Sequence, residues 1–274
     1  MQRLSEKKFA IIGVGKMGET LLKGLLDSQT LKKEQIIATA RHAERLSEIQ
    51  HRYPIATSLD NREAAQNADV VLLCIKPQAT RDVLDELAET LQPTQLVISI
   101  IASVSTGFIE ERLHNEVPVV RSMPNTPCLV GAGMSTICGG KYAMAEHLEL
   151  TKNIFGHVGR TIMLDEKHFD AVTGLSASGP GFIYVVIEAL AEGGVKVGLP
   201  RKVATELAAQ ACLGAAQMVI QTDEHPAVLK DAVTTPAGCT IDGILKLEEG
   251  GLRVTLIKTI VEATRRAKEL IEEE

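Results

Sequence analysis

Residues 234–240 read TTPAGCT: a proline, a glycine and small hydroxyl or thiol side chains, with no carboxylate, imidazole or amine to move a proton. The stretch runs into IDGILKLEEGG, a short helical pattern closed by a glycine pair. A proline-glycine loop that feeds a helix N-terminus offers free backbone N–H groups and the positive end of the helix dipole, which suits an anion. The same residues would also make an ordinary capping turn, with Thr240 as cap. A second stretch, GVGKMG, places Gly13, Gly15 and Gly18 in G-x-G-x-x-G spacing. It follows an apolar run and opens a helical pattern, the context in which that spacing indicates a dinucleotide site. There Gly13 permits the tight turn, Gly15 lets a pyrophosphate approach the backbone, and Gly18 lets helix and strand pack closely. Lys16 and Met17, between them, join the expected contacts.

The second apolar run, QIIATA, ends without the Asp or Glu that usually binds the ribose of NAD, and Arg41 follows it. Arg41 suits a 2′-phosphate through charge-assisted hydrogen bonds, so NADPH is favoured, with NADH still open. The other reading of Arg41 is a solvated arginine at a helix start. CIKPQ ends a later strand; Lys76 either reaches the cofactor or decorates the surface, and Pro77 stops the strand. Asn61 and Ala102 complete the expected cofactor-binding set. RSMPNTP, residues 121–127, reads as a rigid turn or as a loop beside the nicotinamide.

These residues need a scaffold. Up to about residue 163 apolar runs alternate with helical segments, which argues for a parallel sheet covered on both faces, a doubly wound α/β domain. Beyond GRTIMLDE the pattern is helical only: about 166–176, 181–196, 201–221, 225–232, 240–248 and 252–272. The expected division is a Rossmann domain over residues 1–163 and an all-α substrate-binding and dimerisation domain over 164–274. Hydrophobic residues make up 45% and charged residues 23%, as in a soluble globular protein. A net charge of −6 with no basic arm argues against nucleic acid. Five scattered cysteines without metal-ligand spacing suggest reduced thiols, no metal and a cytoplasmic protein. The N-terminus does not read as a signal peptide, and no unbroken apolar run approaches the roughly 18 residues of a membrane span.

A dinucleotide implies hydride transfer. Carbonyl reduction needs a general acid for the developing alkoxide. The β-hydroxyacid dehydrogenases, similar in layout, place a lysine on the first long helix after the Rossmann domain. Here no Lys or Arg lies between Lys167 and Lys196. Reduction of a protonated C=N bond needs no such acid, because hydride neutralises a charge already present.

Together, GVGKMG, DAVTGLSASGPGF (170–182) and HPAVLKDAVTTPAGCT (225–240) resemble the pyrroline-5-carboxylate reductases, over about residues 8–272. The resemblance implies NAD(P)H-dependent reduction of 1-pyrroline-5-carboxylate to L-proline, the last step of proline synthesis, at a dimer interface between the two domains. It implies that the 236–240 loop, including Gly238 and Cys239, holds the substrate carboxylate. Thr240 would hydrogen-bond the ring nitrogen, Ser178 would be a polar contact, and Glu166 would lie near the nitrogen or be solvated. A homodimer or a ring of dimers follows. Ala237, Ala177 and Ser103 depart from the family pattern, and Ala237 would be strained if its position needs φ > 0. Two alternatives stay open: a reductase of another cyclic imino acid, and a non-catalytic NADPH-binding relative.

Overall fold

The computed structural model describes residues 4–29 and 31–272. Its strands are β1 (Phe9–Ile12), β2 (Ile36–Thr39), β3 (Ala56–Ser58), β4 (Val70–Leu73), β5 (Leu96–Ser99), β6 (Val119–Met123), β7 (Gly133–Gly139) and β8 (Gly159–Met163). They form one sheet in the order β3-β2-β1-β4-β5-β6-β7-β8. The chain leaves β1 in one direction through β2 and β3, then returns to pair β4 with β1 on the other side. That reversal makes a switch point at the carboxyl ends of β1 and β4, where ligands of doubly wound sheets bind.

Every residue of β1, β4, β5 and β6 is buried. Alternate side chains enter two separate cores, as the pleat requires. Phe9, Ile11, Leu72 and Ile98 face one core, which helices α1 (Lys16–Asp27) and α2 (Ala43–Arg52) help to close with Leu21, Leu25 and Ile49. Ala10, Ile12, Val71 and Val97 face the other, with α3 (Asn61–Gln66), α4 (Thr80–Leu87) and α5 (Thr106–Leu113) supplying Ala64, Leu84 and Ile109. Burial on both faces is why these strands read as continuous apolar runs.

The sheet is larger than the expected one and not wholly parallel. β7 pairs antiparallel with β6, and β8 runs parallel to β7. β3, α3, β7 and α6 (Ala145–Gly156) lack a clear sequence pattern. β3 is three half-exposed residues at the sheet edge, and β7 mixes glycine, serine and threonine with its apolar residues.

Past β8 lie α7 (Phe169–Val172), a π-helical turn at Thr173–Ala177, then α8 (Gly179–Lys196), α9 (Arg201–Thr222), α10 (Pro226–Ala232), α11 (Cys239–Glu249) and α12 (Leu252–Glu272). Residues 178–262 make one compact unit; the sheet, through Ala177 and with α12 from Ala263, makes the other. Residues 164–177 thus pack with the sheet, on the side of the 163/164 boundary where the sequence does not place them. Phe169, 1% exposed, explains this by sharing a cluster with Met123 and Cys138.

In the helical unit α8 and α9 meet at Ala191, Ala204 and Ala208. A Cβ on Gly194 would stand 3.0 Å from the Ala204 Cβ, so this approach needs small residues. Large apolar side chains stay exposed, among them Val185, Leu207, Leu213, Ile257 and Val261. Against expectation, two helical stretches, Glu166–Lys196 and Arg201–Thr222, reach the length and mean hydropathy (1.3 each) of membrane spans. Alanine and the larger aliphatic residues raise the mean, while the interspersed polar residues and glycines keep either stretch from being an unbroken apolar run.

Ser103 and Ala237, two of the departures, both adopt the left-handed region, at φ 62° and φ 53°. A Cβ there costs on the order of 1 kcal/mol. Ser103→Gly and Ala237→Gly should each raise stability by about 0.5–1 kcal/mol in urea unfolding, after the entropy a glycine adds to the unfolded chain. A loss of stability in either would show that its backbone is not strained.

Candidate active site

The glycine turn between β1 and α1 is built by exclusion. Gly13 has φ +91°, and a Cβ on it would meet Ile75 Cγ2 at 2.8 Å and the Cys74 carbonyl at 3.0 Å. A Cβ on Gly18 would lie 2.5 Å from the Gly13 carbonyl oxygen. Gly15 differs: a Cβ there would meet nothing within 4 Å. Packing therefore demands glycine at 13 and 18, whereas at 15 it leaves an open cradle. No side chain caps α1, whose N-cap is Gly15. Lys16 and Met17 open the helix, so their N–H groups and that of Gly18 have no intrahelical partner. Open cradle and uncapped helix together fit a pyrophosphate.

The turn is braced from β2 and α2. Gly13 N–H donates to Thr39 Oγ1 at 3.2 Å and Val14 N–H to the Thr39 carbonyl at 2.7 Å. Arg45 donates from Nε to the Val14 carbonyl at 3.0 Å and pairs with Glu19 on α1, which also holds Arg52 at 2.7 Å. Burial alone would raise the Glu19 carboxyl, but the hydrogen bonds from Arg45 and Arg52 outweigh it and hold the group below the ordinary carboxylate range.

Gly13, Thr39, Arg41 and Asn61 line one cavity of about 320 Å³. Three expected cofactor residues are thus brought together. Asn61 is fixed on both ends of its amide, accepting from Thr39 Oγ1 at 2.7 Å and donating to Glu86 Oε2 at 2.8 Å. Arg41 is exposed at the rim. Lys76 is exposed, and Pro77 opens a 3₁₀ turn, Pro77–Ala79. Pro77 and Ala102 lie elsewhere: Pro77 lines a neighbouring cavity, and Ala102 packs on the Met123–Cys138–Phe169 cluster. Burial pushes the Cys74 thiol, beside Gly18, up to about 12, so it stays neutral.

Glu166 is engaged within the sheet unit. It accepts from the Thr106 N–H at 2.8 Å and Thr106 Oγ1 at 2.7 Å, at the first residue of α5. It also pairs with Arg121 Nη1 at 3.1 Å. Arg121 is 4% exposed, with its guanidinium 4.7 Å from the Phe169 ring centre. The sequence reading did not single out Arg121; the available signal was a lone arginine inside the apolar run VPVVRSM. In the same loop Asn125 ties two segments, donating to the Ser176 carbonyl at 3.1 Å and accepting from the Met134 N–H at 2.9 Å.

The loop of the helical unit also ends on an uncapped helix. Gly238 is the N-cap of α11, with no side-chain cap, so Thr240 is not the cap but the second helical residue. A Cβ on Gly238 would crowd Thr235 Oγ1, which would have to turn away, and would stand 3.2 Å from the Thr235 carbonyl oxygen. Cys239 is exposed and Thr240 half-buried. Ser178 precedes α8 as its N-cap residue and makes no capping bond; a proline stands in the first turn.

A glycine turn at the switch point of a doubly wound sheet, followed by a helical unit, defines a Rossmann-type dinucleotide oxidoreductase. Residues 8–103 match the family model described as NADP oxidoreductase, coenzyme F420-dependent. Residues 166–270 match the model for pyrroline-5-carboxylate reductase dimerisation, which holds both long apolar helices and begins near residue 164 rather than 178. The chain is 43% identical to a pyrroline-5-carboxylate reductase of Synechocystis, over 96% of this chain and 98% of that one. The structure of a pyrroline-5-carboxylate reductase from Coxiella burnetii superimposes with TM-score 0.90 at 35% identity, covering 96% of this chain and 98% of that one. That of Plasmodium falciparum pyrroline carboxylate reductase, with NADP bound, gives 0.88 at 29% identity, covering 97% and 99%. The chain belongs to the pyrroline-5-carboxylate reductase family.

Gly15 and Gly18 make separable predictions. Gly15→Ala should melt within about 1 °C of the parent yet bind NADPH at least tenfold more weakly, about 1.4 kcal/mol. Gly18→Ala should lower stability by about 1–3 kcal/mol through overpacking against the Gly13 carbonyl. Thermal melting with fluorescence titration of NADPH separates the two, and unchanged affinity in Gly15→Ala would remove the pyrophosphate from this cradle.

Proposed function

We infer that the protein reduces 1-pyrroline-5-carboxylate to L-proline with NADPH, the last step of proline synthesis, and that NADH is the weaker donor. One observation carries the geometric side of this reading. The starts of α1 and α11 have glycine at the N-cap and no side-chain cap, and each is able to hold an anionic group through backbone N–H donors. The start of α1 suits the cofactor pyrophosphate. The start of α11 suits a small carboxylate, since Pro236, Ala237, Gly238 and Cys239 put no like charge beside it.

When bound, the nicotinamide supplies the hydride. The protein's task is to hold the substrate, orient its nitrogen and leave the charge balance alone. The N–H groups of Cys239 and Thr240 take the carboxylate, since Gly238 N–H already donates to the Thr235 carbonyl at 3.1 Å, and the Thr240 hydroxyl takes the ring nitrogen. Ser178 is a further polar contact on the substrate side. An iminium substrate brings its own proton, so the absence of a carboxylate, imidazole or amine from residues 234–240 is consistent with turnover. Glu166 serves first as the partner of Thr106 and Arg121, and its reach to the nitrogen would come second. Lys76, Pro77 and Ala102 remain candidate contacts of the nicotinamide half.

The exposed apolar side chains of α8, α9 and α12 fit burial against a second copy, as a homodimer or a ring of dimers. The five free cysteines suit a reducing cytoplasm. A small-molecule substrate is the only partner this reading requires besides cofactor and second copy; nucleic acid and membrane have no part in it. The left-handed Ser103 and Ala237 favour a non-catalytic relative, because both are departures from the family pattern held in a strained backbone.

NADPH consumption with 1-pyrroline-5-carboxylate decides between these readings, and a panel of cyclic imino acids tests the substrate; no turnover on any of them would leave a cofactor-binding protein only. Thr240→Ala should lower kcat/KM by roughly 10–100-fold, with Thr240→Ser retaining most activity. Arg41→Ala should weaken NADPH by about tenfold and NADH little. Full activity in Thr240→Ala, or equal losses for both cofactors in Arg41→Ala, would strike out the corresponding role.

A further inference from the structure

The turn before α8 contains a carbonyl that the helix cannot serve. In an α-helix the Ser176 carbonyl would accept from the N–H of residue 180, and that residue is Pro180, which has none. The next donor along the chain, the Gly181 N–H, goes to the Ser178 carbonyl at 2.9 Å. A proline ring also crowds the carbonyl four residues before it. The π-helical turn at Thr173–Ala177 is the local answer, since a wider turn relieves that crowding.

Asn125 supplies the missing donor. Its Nδ2 reaches the Ser176 carbonyl at 3.1 Å, from 51 positions earlier in the chain. Its Oδ1 accepts from the Met134 N–H at 2.9 Å, near the start of β7. That second bond fixes the amide: the oxygen must face an N–H, so the NH₂ group faces the carbonyl. Asn125 is half-buried, where a polar group left without a partner costs more than it would in open water. The chain passes from the sheet unit to the helical unit at Ala177–Ser178. Ser176 thus anchors the end of the sheet unit two residues before Ser178.

We propose that Asn125 is a positioning residue for the reduction. By standing in for the N–H that Pro180 lacks, it fixes the Ser176 peptide and, two residues on, the place of Ser178. Asn125 touches neither substrate nor cofactor in this role, which gives the asparagine of RSMPNTP a task apart from the nicotinamide. The role rests on the reading of Ser178 as a contact on the substrate side of the proline-forming reduction.

The test compares the parent chain, Asn125→Asp, Pro180→Ala and the double variant in steady-state turnover of 1-pyrroline-5-carboxylate, with fluorescence titration of NADPH alongside. Asn125→Asp keeps the acceptor for Met134 and removes the donor to Ser176. It should lower kcat/KM for the imine by roughly tenfold and leave NADPH affinity within about twofold. Pro180→Ala puts an N–H four residues after Ser176. In that background the Asn125→Asp loss should shrink by about threefold or more, a coupling that damage spread through the loop would not produce. If Asn125→Asp alone does not fold, adding Pro180→Ala should restore folding. Full activity in Asn125→Asp, equal losses in both backgrounds, or a pair that stays unfolded would overturn the proposal. An NADPH affinity that falls as far as kcat/KM would overturn it too, by moving Asn125 onto the cofactor. A parent chain that turns over no pyrroline-5-carboxylate would sink the reductase reading itself, and this role with it.

Discussion

The close approach of α1 to the end of β1 is the constraint on which the rest depends. The Gly13 carbonyl stands where any side chain at residue 18 would begin, at 2.5 Å from an added Cβ. Only with two glycines can the helix start directly above the sheet's switch point. That placement aims its unpaired N–H groups and its dipole at one spot. Thr39 then ties the turn to β2, and Arg45 ties it to α2. The Glu19 carboxylate joins both arginines of α2 to α1, so the two helices that flank the turn cannot shift independently.

The same economy recurs in the helical unit. Gly238 starts α11 without a side-chain cap, and the Thr235 hydroxyl lies where a Cβ would stand. Where many helices recruit Ser, Thr, Asp or Asn to satisfy their first N–H groups, no side chain does so for α1 and α11. By contrast α3 and α5, which hold no expected ligand phosphate or carboxylate, are capped by Asp60 and Ser105. α5 receives a further acceptor in Glu166. The lack of a side-chain cap is not peculiar to these helices, since α2, α4 and α9 have none either. α8 joins the uncapped group, with Ser178 before it.

Arg121 shows the opposite arrangement, a charge kept inside. A buried guanidinium is tolerated when it is paired and stacked, and Glu166 and Phe169 do both. Phe169 in turn draws residues 164–177 onto the sheet unit, although the family's dimerisation model begins at residue 166. Sequence kinship and compactness therefore divide the chain at different points. The first follows shared ancestry of the segment, and the second follows where one aromatic ring finds its core.

Local patterns were readable without coordinates. The glycine spacing, the continuous apolar runs of β1, β4 and β5, and the helices beyond residue 178 each follow from rules that span fewer than about twenty residues. The missing acid after β2 and the neutral loop at 236–240 were equally plain, because absence of charge is a property of composition. β3 and β7 were not readable, since a short edge strand and a mixed one acquire their pairing from neighbours far along the chain. The left-handed backbone of Ser103 and Ala237, the engagement of Glu166 by Thr106 and the half-satisfied Arg121 likewise come from partners remote in sequence or from the path of the whole chain. By itself, then, the sequence determined the fold class, the cofactor turn and the kind of chemistry, all consequences of residue type and near spacing. Only the tertiary structure decided which polar groups are satisfied and which are left open, because that depends on which distant segments the sheet brings together.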